Sequence, residues 1–499
     1  MELQLADVLQ RIKELLDYNS SAPLIFNSGL FLFLFVAFLA LYLMMRRTTT
    51  LRILYVIAFS LFFYYKSSGI YFLLLVFAAV SDYLIAHAIA RSGSQSVKRR
   101  WVATSVAINL GMLGYFKYTN FFVEIANSIV GAGFLDFQNI FLPVGISFFV
   151  FQSMSYTIDV YRGEIKPLSS PADYLFYLSF FPQLVAGPIV RAKDFIPQIR
   201  KPVEVTQAMF GRAIGLIIIG LIKKAIISDY ISMNFVDRIF DEPGLYSGFE
   251  CLMGVYGYAL QIYCDFSGYS DMAIGIALLL GFQFPKNFDA PYKSATITEF
   301  WRRWHISLSS WLRDYLYISL GGNRKGKVRT YLNLLMTMVL GGLWHGAALR
   351  FVLWGALHGV ALALHKMWLG IIPWSKAKGE DMHPVIRVVS WAITFNIVCL
   401  GWLLFRAEDM QTVGVMLSQI TSNFNGAIMP QFVEGYKAVV GLIVLGYGMH
   451  FIPAKIDRDL MRGVGSASFW WQVAMLVVTA WCVMQVKSSD IQPFIYFQF

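Results

Sequence analysis

The chain has 499 residues, of which 57% are hydrophobic and 14% are charged, and it carries a formal net charge of +11. Soluble domains carry roughly 25% charged residues, and runs of about 20 apolar residues recur along this chain, so the composition excludes an ordinary soluble protein. The basic residues lie in short loops between the apolar runs, which favours cytoplasmic loops of a membrane protein over nucleic-acid binding. The four cysteines are far apart and indicate neither a disulfide framework nor a metal site.

The apolar runs are continuous rather than alternating with a period of two, so they predict helices that cross a lipid bilayer. We therefore predict an all-α polytopic membrane protein with about 11 transmembrane helices plus re-entrant segments, and a single membrane domain over residues 1–499. The apolar runs cover about residues 24–45, 53–65, 70–89, 101–118, 142–160, 210–227, 251–280, 331–346, 351–369, 385–404, 438–451 and 470–486.

Residues 1–22 precede the first of these runs. Apolar residues recur there at helical spacing, and charged residues fill most other positions. The segment is too polar to span a bilayer, and it lacks the basic start and the small-residue cleavage site of a signal peptide. We predict an interfacial helix.

The basic loops give an orientation. The loops at Arg46 and at residues 91–100 fall on the same side, and short basic loops stay in the cytoplasm, so the amino terminus is expected outside. The same rule assigns residues 191–201 and 324–329 to the cytoplasm. Residues 228–248, which carry both acidic and basic side chains, are predicted to form an outward loop.

Residues 180–191 contain prolines and glycines at a density that breaks helices. Backbone broken at membrane depth must be buried in protein or line a cavity. We predict that this segment dips into the membrane without crossing it and lines a substrate passage. An interfacial loop is the alternative.

The polar residues from Tyr263 to Gly346 form the candidate site, because charged side chains and imidazoles are expensive to bury in a membrane. Asp265 lies in the first part of this stretch. Farther on, Thr296 and Glu299 fit a capping box and predict a helix that begins near Ile297.

Aromatic residues and His305 recur at three- and four-residue spacing along this predicted helix, which places His305 on its aromatic face beside Trp304. Arg302 and Arg303 occupy other faces and are expected to attract phosphate-bearing groups. An aromatic-belt helix whose arginines contact lipid headgroups explains the two arginines equally well.

His345 ends the run that starts at Tyr331, and a helix of that length rises about 21 Å, which places the imidazole well inside the bilayer. Glycines on both sides let a neighbouring backbone or a substrate come close. A neutral imidazole there can take a proton from a hydroxyl or act as a nucleophile. A core histidine bonded to a carbonyl is the structural alternative. Spacing alone does not separate a membrane acyltransferase from a transporter with a histidine proton relay.

Five segments, taken together and in this order, resemble the membrane-bound O-acyltransferases in their bacterial polysaccharide-modifying branch. They cover about residues 142–359 and read Leu142-Pro-Val-Gly-Ile-Ser-Phe, Pro182-Gln-Leu-Val-Ala-Gly-Pro-Ile, Tyr263-Cys-Asp-Phe-Ser-Gly-Tyr-Ser-Asp-Met, Phe300-Trp-Arg-Arg-Trp-His-Ile-Ser-Leu-Ser-Ser-Trp and Gly341-Gly-Leu-Trp-His-Gly.

The resemblance implies that residues 142–359 form a catalytic core with a tunnel through the membrane. It implies that His345 is the essential histidine deep in this tunnel and that His305 is the second characteristic polar residue. We assign both as catalytic. The candidate substrate-binding residues are Asp265, Trp304, Arg302, Arg303 and Trp344, and no metal is expected.

The expected reaction moves an acyl group, acetyl in our expectation, from a cytoplasmic thioester in the bacterial inner membrane. The donor is acetyl-coenzyme A or an acyl carrier protein, used as a co-substrate rather than a bound cofactor. The acceptor is an extracytoplasmic polysaccharide, such as alginate, cellulose or peptidoglycan, or a periplasmic partner acyltransferase. The alternatives are D-alanyl transfer to teichoic acid, a proton-coupled exporter of an envelope precursor, and a scaffold for an envelope complex.

Overall fold

The computed structural model describes residues 10, 13–19, 23–184, 187–371 and 383–486. All regular structure in these ranges is helical, without a strand, which confirms the all-α prediction. Most of the predicted interfacial helix at residues 1–22, and residues 185–186 of the predicted re-entrant segment, lie outside the described ranges.

The described residues fall into two compact units. The first contains Met1–Val205 and Ile276–Phe284, and the second contains Thr206–Gly275 and Pro285–Phe499. The single membrane domain therefore stays a prediction.

The longer helices of the first unit are α1 (Gly29–Met44), α2 (Thr49–Ser68), α3 (Phe72–Arg91), α4 (Gln95–Leu113), α5 (Thr119–Val130), α6 (Ile146–Arg162), α7 (Pro171–Ser179) and α8 (Ala192–Ile199). The first four and α6 follow predicted apolar runs, whereas α5, α7 and α8 were not predicted.

A buried carboxylate, Asp82, lies where α3, α4 and α6 meet. It accepts hydrogen bonds from Ser105 Oγ at 2.7 Å, Asn109 Nδ2 at 2.7 Å and Ser153 Oγ at 2.5 Å. A buried polar group is costly unless it is hydrogen-bonded. The three donors therefore explain how an apolar helix accommodates this side chain.

The segment at residues 180–191 folds back on itself. Tyr177 Oη donates to the carbonyl of Val190 at 3.0 Å. A Cβ atom on Gly187 would lie 2.5 Å from Gln183 Cα and 2.6 Å from the carbonyl oxygen of Pro182, so only glycine fits this close approach. Its described residues are buried apart from Arg191 at its end, as expected of broken backbone at membrane depth. Its position in the membrane stays a prediction.

The second unit contains further helices, of which twelve are labelled. They are α9 (Gln207–Leu221), α10 (Gly248–Leu279, whose last turn groups with the first unit), α11 (Ile297–Arg303), α12 (Ile306–Trp311), α13 (Lys327–His345), α14 (Leu349–Ile371), α15 (Pro384–Arg406), α16 (Met410–Ser422), α17 (Met429–Gly435), α18 (Lys437–Phe451), α19 (Ala454–Ser466) and α20 (Phe469–Val486).

The prediction of an outward loop over residues 228–248 is wrong for its first half. That part is helical over Asp229–Ile231, Ser232–Val236 and Asp237–Asp241. Apolar side chains recur there at helical spacing and are buried, among them Phe235 and Ile239. Charged residues lie between these apolar residues in the sequence, so the pattern was interpreted as a polar loop.

By length and composition, four helical stretches among the described residues suffice to cross a membrane: Thr49–Arg91, Leu349–Ile371, Pro384–Arg406 and Phe469–Val486. A pair bent by 98°, Gly426–Gly435 with Lys437–Phe451, makes five if it counts as one span. Several apolar spans are therefore present, and the number of about 11 stays a prediction.

Helices α13 and α14 pack backbone against backbone through glycines. A Cβ on Gly342 would lie 2.1 Å from the carbonyl oxygen of Phe351, and a Cβ on Gly355 would lie 2.3 Å from that of Met338. No real Cβ tolerates such distances, so the close approach requires glycine at both positions. This contact fixes the end of α13 relative to the start of α14.

Candidate active site

His345 is the last residue of α13, and its side chain is buried, with 4% of the residue exposed. The helix stops there because Gly346 adopts an extended conformation. Aromatic rings surround the imidazole: the centroid distances are 4.9 Å to Trp344, 5.0 Å to Trp354 and 5.2 Å to Phe405. His345 thus lies in an aromatic shell built from α13, α14 and α15.

Arg350 ties two of these helices together beside His345. Its Nη1 donates to the carbonyl oxygen of Phe405 at 2.5 Å, near the carboxyl end of α15. A cationic side chain at a helix carboxyl end satisfies carbonyls that have no partner within the helix. The bond holds the backbone of Phe405, whose ring packs on His345.

His305 lies at a break between α11 and α12. The predicted continuous helix is wrong here, because α11 ends at Arg303 and α12 begins at Ile306. His305 has a left-handed backbone, with φ 41°, which non-glycine residues seldom adopt. The predicted start is confirmed, since Thr296 Oγ1 accepts from the backbone N–H of Glu299 at 3.1 Å.

Asn287 stabilises the break. Its backbone carbonyl accepts from the N–H of Ile306 at 2.8 Å, and its side-chain Oδ1 accepts from Ser307 N at 3.2 Å and Ser307 Oγ at 2.9 Å. The Nδ1 atom of His305 lies 3.2 Å from the same Oδ1. Asn287 therefore supplies acceptors to the first N–H groups of α12, in place of a preceding helical turn.

These bonds define the state of His305. Because Asn287 Oδ1 accepts from the backbone of Ser307, it also accepts from His305, and the proton of the neutral imidazole lies on Nδ1. Burial lowers the pKa of His305 to about 3, so the ring is uncharged at neutral pH. Its Nε2 atom carries the lone pair.

Trp344 connects the two predicted catalytic residues. Its ring centroid lies 6.3 Å from that of His305 and 4.9 Å from that of His345. The structure therefore brings His305, Trp344 and His345 into one cluster, although 40 positions of sequence separate the two histidines.

Trp304 is a core residue of the same unit. Its ring packs against Trp402 at 4.7 Å, Phe288 at 5.1 Å and Phe300 at 5.7 Å. Because Trp304 directly precedes His305 in the sequence, it lies next to the cluster of His305 and His345. Its assignment to substrate binding stays a prediction.

The two predicted arginines differ in their surroundings. Arg302 is exposed, whereas Arg303 pairs with Glu299 at 2.9 Å and donates to the carbonyl of Asp289 at 3.1 Å. Partial burial acts to raise the pKa of Asp289, but the hydrogen bond from Lys286 and nearby positive charges outweigh it and hold this pKa below its usual value. Arg303 thus belongs to a local network of charged groups, whereas the side chain of Arg302 is exposed.

Asp265 is buried in an ion pair that the sequence reading missed. Its carboxylate lies 2.5 Å from Lys224 Nζ, which also contacts Asp229 at 2.7 Å. The next residue, Phe266, packs on His305 with a centroid distance of 4.6 Å. Asp265 is therefore held by Lys224, and a signal for this pair was present, because two adjacent lysines interrupt the apolar run at residues 210–227.

Other residues of the site gave weaker signals. Trp354, Phe405 and Asn287 contact the histidines, but each is an ordinary aromatic or polar residue on another helix or loop. His358 lies next to Trp354 and is fully buried. These four residues can be assigned to the site only from the folded arrangement of the helices.

The arrangement fits a reaction that needs a sheltered proton acceptor. The indole of Trp344 packs on the imidazoles of both His305 and His345, and aromatic rings exclude water around His345. Within the described ranges, no three His, Cys, Asp or Glu side chains form a group that could hold a metal ion.

Comparison with known families decides the class. The model of the membrane-bound O-acyltransferase family matches residues 146–406, which include both histidines. This chain belongs to the membrane-bound O-acyltransferase family. It is therefore a membrane O-acyltransferase, as the motifs from Leu142 onward predicted.

Several curated relatives match this O-acyltransferase over nearly its whole length. A probable alginate O-acetylase of Pseudomonas putida is 36% identical over 502 residues, covering 95% of this chain and 100% of the relative. The probable alginate O-acetylase of Pseudomonas aeruginosa is 41% identical over 537 residues, with the same coverage. A peptidoglycan O-acetyltransferase of Helicobacter pylori is 37% identical over 419 residues, or 78% of each chain.

Proposed function

We propose that this O-acyltransferase moves an acetyl group from a cytoplasmic thioester toward a hydroxyl of an extracytoplasmic polysaccharide, directly or through a partner acyltransferase, with His345 as the base. The position of His345, buried in an aromatic shell at the end of α13, carries the proposal. The names of the relatives support acetyl as the acyl group and alginate or peptidoglycan as the type of acceptor.

The reaction balances without a metal or a redox partner. The acceptor oxygen attacks the thioester carbonyl carbon, a C–O bond forms and the C–S bond breaks. The hydroxyl proton passes to the imidazole of His345 and from there to the thiolate that leaves. Because a thioester is already activated, the protein has to position the reactants, take the proton and exclude water.

The end of α13 favours this role for His345. Carbonyl groups at a helix carboxyl end carry a partial negative charge, which stabilises a nearby cation by about 0.3–1 kcal/mol at exposed sites and by more where water is scarce. An imidazolium formed during the transfer benefits from this charge. The rings of Trp344, Trp354 and Phe405 limit the access of water to it.

His305 acts as a positioning group in this proposal. Its Nδ1 proton is engaged by Asn287, and its lone pair on Nε2 accepts a hydrogen bond from a substrate hydroxyl or amide. Asp265, held by Lys224, and Trp344 complete the walls of the substrate path.

The donor enters from the cytoplasmic side in this proposal. Residues 323–329 before and at the start of α13 are exposed and include Arg324, Lys325, Lys327 and Arg329. These side chains, together with the exposed Arg302, attract the phosphates of coenzyme A or of an acyl carrier protein. From Lys327 to His345 the helix rises about 27 Å, so the donor reaches the histidine through a tunnel. The protein would lie in the bacterial inner membrane with about 11 spans.

Transfer of a labelled acetyl group tests the proposal. The purified protein in lipid vesicles is given radiolabelled acetyl-coenzyme A and a soluble oligosaccharide of the alginate or peptidoglycan type. We expect labelled ester, and we expect its formation to depend on His345. The matched control is His365→Ala, which removes an imidazole 20 positions beyond His345 in the sequence that bonds Thr298 Oγ1 at 2.8 Å. Movement of the oligosaccharide across the vesicle membrane without acylation would instead support the exporter.

A further inference from the structure

Trp354 forms one wall of the space around His345. The ring centroids lie 5.0 Å apart with an angle of 83° between the planes, so the indole and the imidazole meet edge to face. An acyl group that reacts beside His345 has this indole as a direct neighbour.

The far side of Trp354 is filled. Only 1% of the residue is exposed, and rings of four other residues enclose it. The centroid distances are 4.9 Å to His358, 5.6 Å to Phe405, 5.7 Å to Trp301 and 6.3 Å to Trp402. The indole therefore has no room to move away from His345 without displacing these rings.

Gly401 on α15 closes another side. A Cβ atom at this position would lie 3.4 Å from Trp354 Cδ1 and 2.8 Å from His358 Nε2. Since even a methyl group would crowd His358, the backbone of α15 is already in close contact with both side chains. Helix α15 thus packs directly against Trp354 and holds it in place.

We propose that Trp354 sets the length of the acyl chain that this enzyme transfers, and that it restricts the chain to two carbons. This inference rests on the proposed role of His345. The proposal places the acyl chain against this indole, and a densely packed interior yields little to the extra methylene groups of a longer chain. The bonds made and broken are those of acetyl transfer, and only the fit of the chain differs.

The expected difference in rate between acyl donors follows from the selectivity of apolar pockets for chain length. One additional methylene group that does not fit changes the rate of an enzyme by roughly 10- to 200-fold. We expect the parent enzyme to use propionyl-coenzyme A at least about 10-fold more slowly than acetyl-coenzyme A, and butyryl-coenzyme A more slowly still.

The test measures the ratio of butyryl to acetyl transfer by the full-length protein in lipid vesicles, with the two coenzyme A thioesters at equal concentration. Trp354→Leu removes most of the indole while keeping an apolar side chain, and we expect it to raise this ratio about 10-fold or more. The matched control is Trp391→Leu. The Trp391 ring packs on Phe395 at 5.8 Å, and its N–H donates to the carbonyl of Tyr292, away from His345. Its ratio should equal that of the parent.

The outcomes separate the two proposals. A parent protein that transfers no acetyl group contradicts the proposed function itself. A parent that transfers acetyl but accepts butyryl equally well overturns the role of Trp354, as does a folded Trp354→Leu protein with an unchanged ratio.

If Trp354→Leu does not fold, Trp354→Phe, which removes one ring, replaces it. A raised propionyl-to-acetyl ratio then supports the inference, and an unchanged ratio overturns it.

Discussion

The two histidines of the site are held in different ways. Around His305 the backbone leaves the helix, and the hydrogen bonds that Asn287 accepts from His305 and Ser307 fix the break and the ring. Around His345 the backbone is a regular helix up to its last residue, and aromatic rings from three helices shape the environment.

The proposed mechanism assigns the two residues different work. A hydrogen bond to a ring nitrogen fixes the position of a proton, which suits His305 as the orienting group. Rings packed around an imidazole limit the access of water, which suits His345 as the proposed base.

The largest effect is expected at the base. His345→Ala should lower the rate of acetyl transfer by roughly 10² to 10⁴, the usual contribution of a positioned acid–base group. The protein should still insert and purify, because the glycine-rich end of α13 tolerates a small residue. Transfer from labelled acetyl-coenzyme A measures the rate.

His345→Gln refines this prediction, because an amide keeps a hydrogen bond but takes no proton at neutral pH. It should be as inactive as the alanine variant. Transfer within a few-fold of the parent by either variant would return His345 to the role of a core residue.

The hydrogen-bonded side of the comparison is tested at Asn287. Asn287→Ala leaves the buried donors of His305 and Ser307 without their acceptor, and each such group costs about 1–3 kcal/mol. We expect a clear loss of thermal stability, measured by unfolding in detergent, together with lower activity. Asn396→Ala removes an exposed bond to Tyr256 Oη and is the control. Equal stability of the two variants would show that the break at His305 does not depend on Asn287.

The packed side of the comparison is tested at the contact between α13 and α14. Gly355→Ala places a methyl group 2.3 Å from the carbonyl oxygen of Met338, and overpacking of this kind costs about 1–3 kcal/mol. The variant should unfold at a lower temperature and acylate more slowly, because α13 carries His345. Gly370→Ala, on the same helix, meets no atom within 4 Å and should behave like the parent. If both variants match the parent, the close contact is not required.

The smallest effect is expected at His305. His305→Ala should lower the turnover of a well-folded protein by about 10-fold, less than the loss of an acid–base group causes. Alanine is also strained at φ 41°, whereas glycine is not, so His305→Gly separates the loss of the ring from the strain in the backbone. Turnover equal to the parent in the glycine variant would leave His305 a purely structural residue.

Much of this structure follows from local patterns. The apolar runs predicted the longer helices to within a few residues at most ends, and the capping box at Thr296 predicted the start of α11. The glycines beside His345 predicted the close approach of a neighbouring backbone, which α14 provides where Phe351 meets Gly342. Each of these features depends on residues that are near one another in the sequence.

The rest depends on contacts between distant residues. Three- and four-residue spacing around His305 favoured one long helix. The local pattern did not reveal the break, because its hydrogen-bond acceptor, Asn287, lies 18 positions before His305. In the same way, Asp265 appeared as an isolated acid until the fold paired it with Lys224. The shell around His345 comes from α14 and α15, and a single sequence does not reveal which of their aromatic residues face it.

The glycine contacts between α13 and α14 also bear on motion. Side chains adjust between helices by changing rotamers, but two backbones in direct contact have no such freedom. We therefore expect the two helices to move together, which would keep His345 in place relative to Trp354 during the proposed reaction. Any gate that admits the donor or releases the product must be built from parts of the chain other than this helix pair.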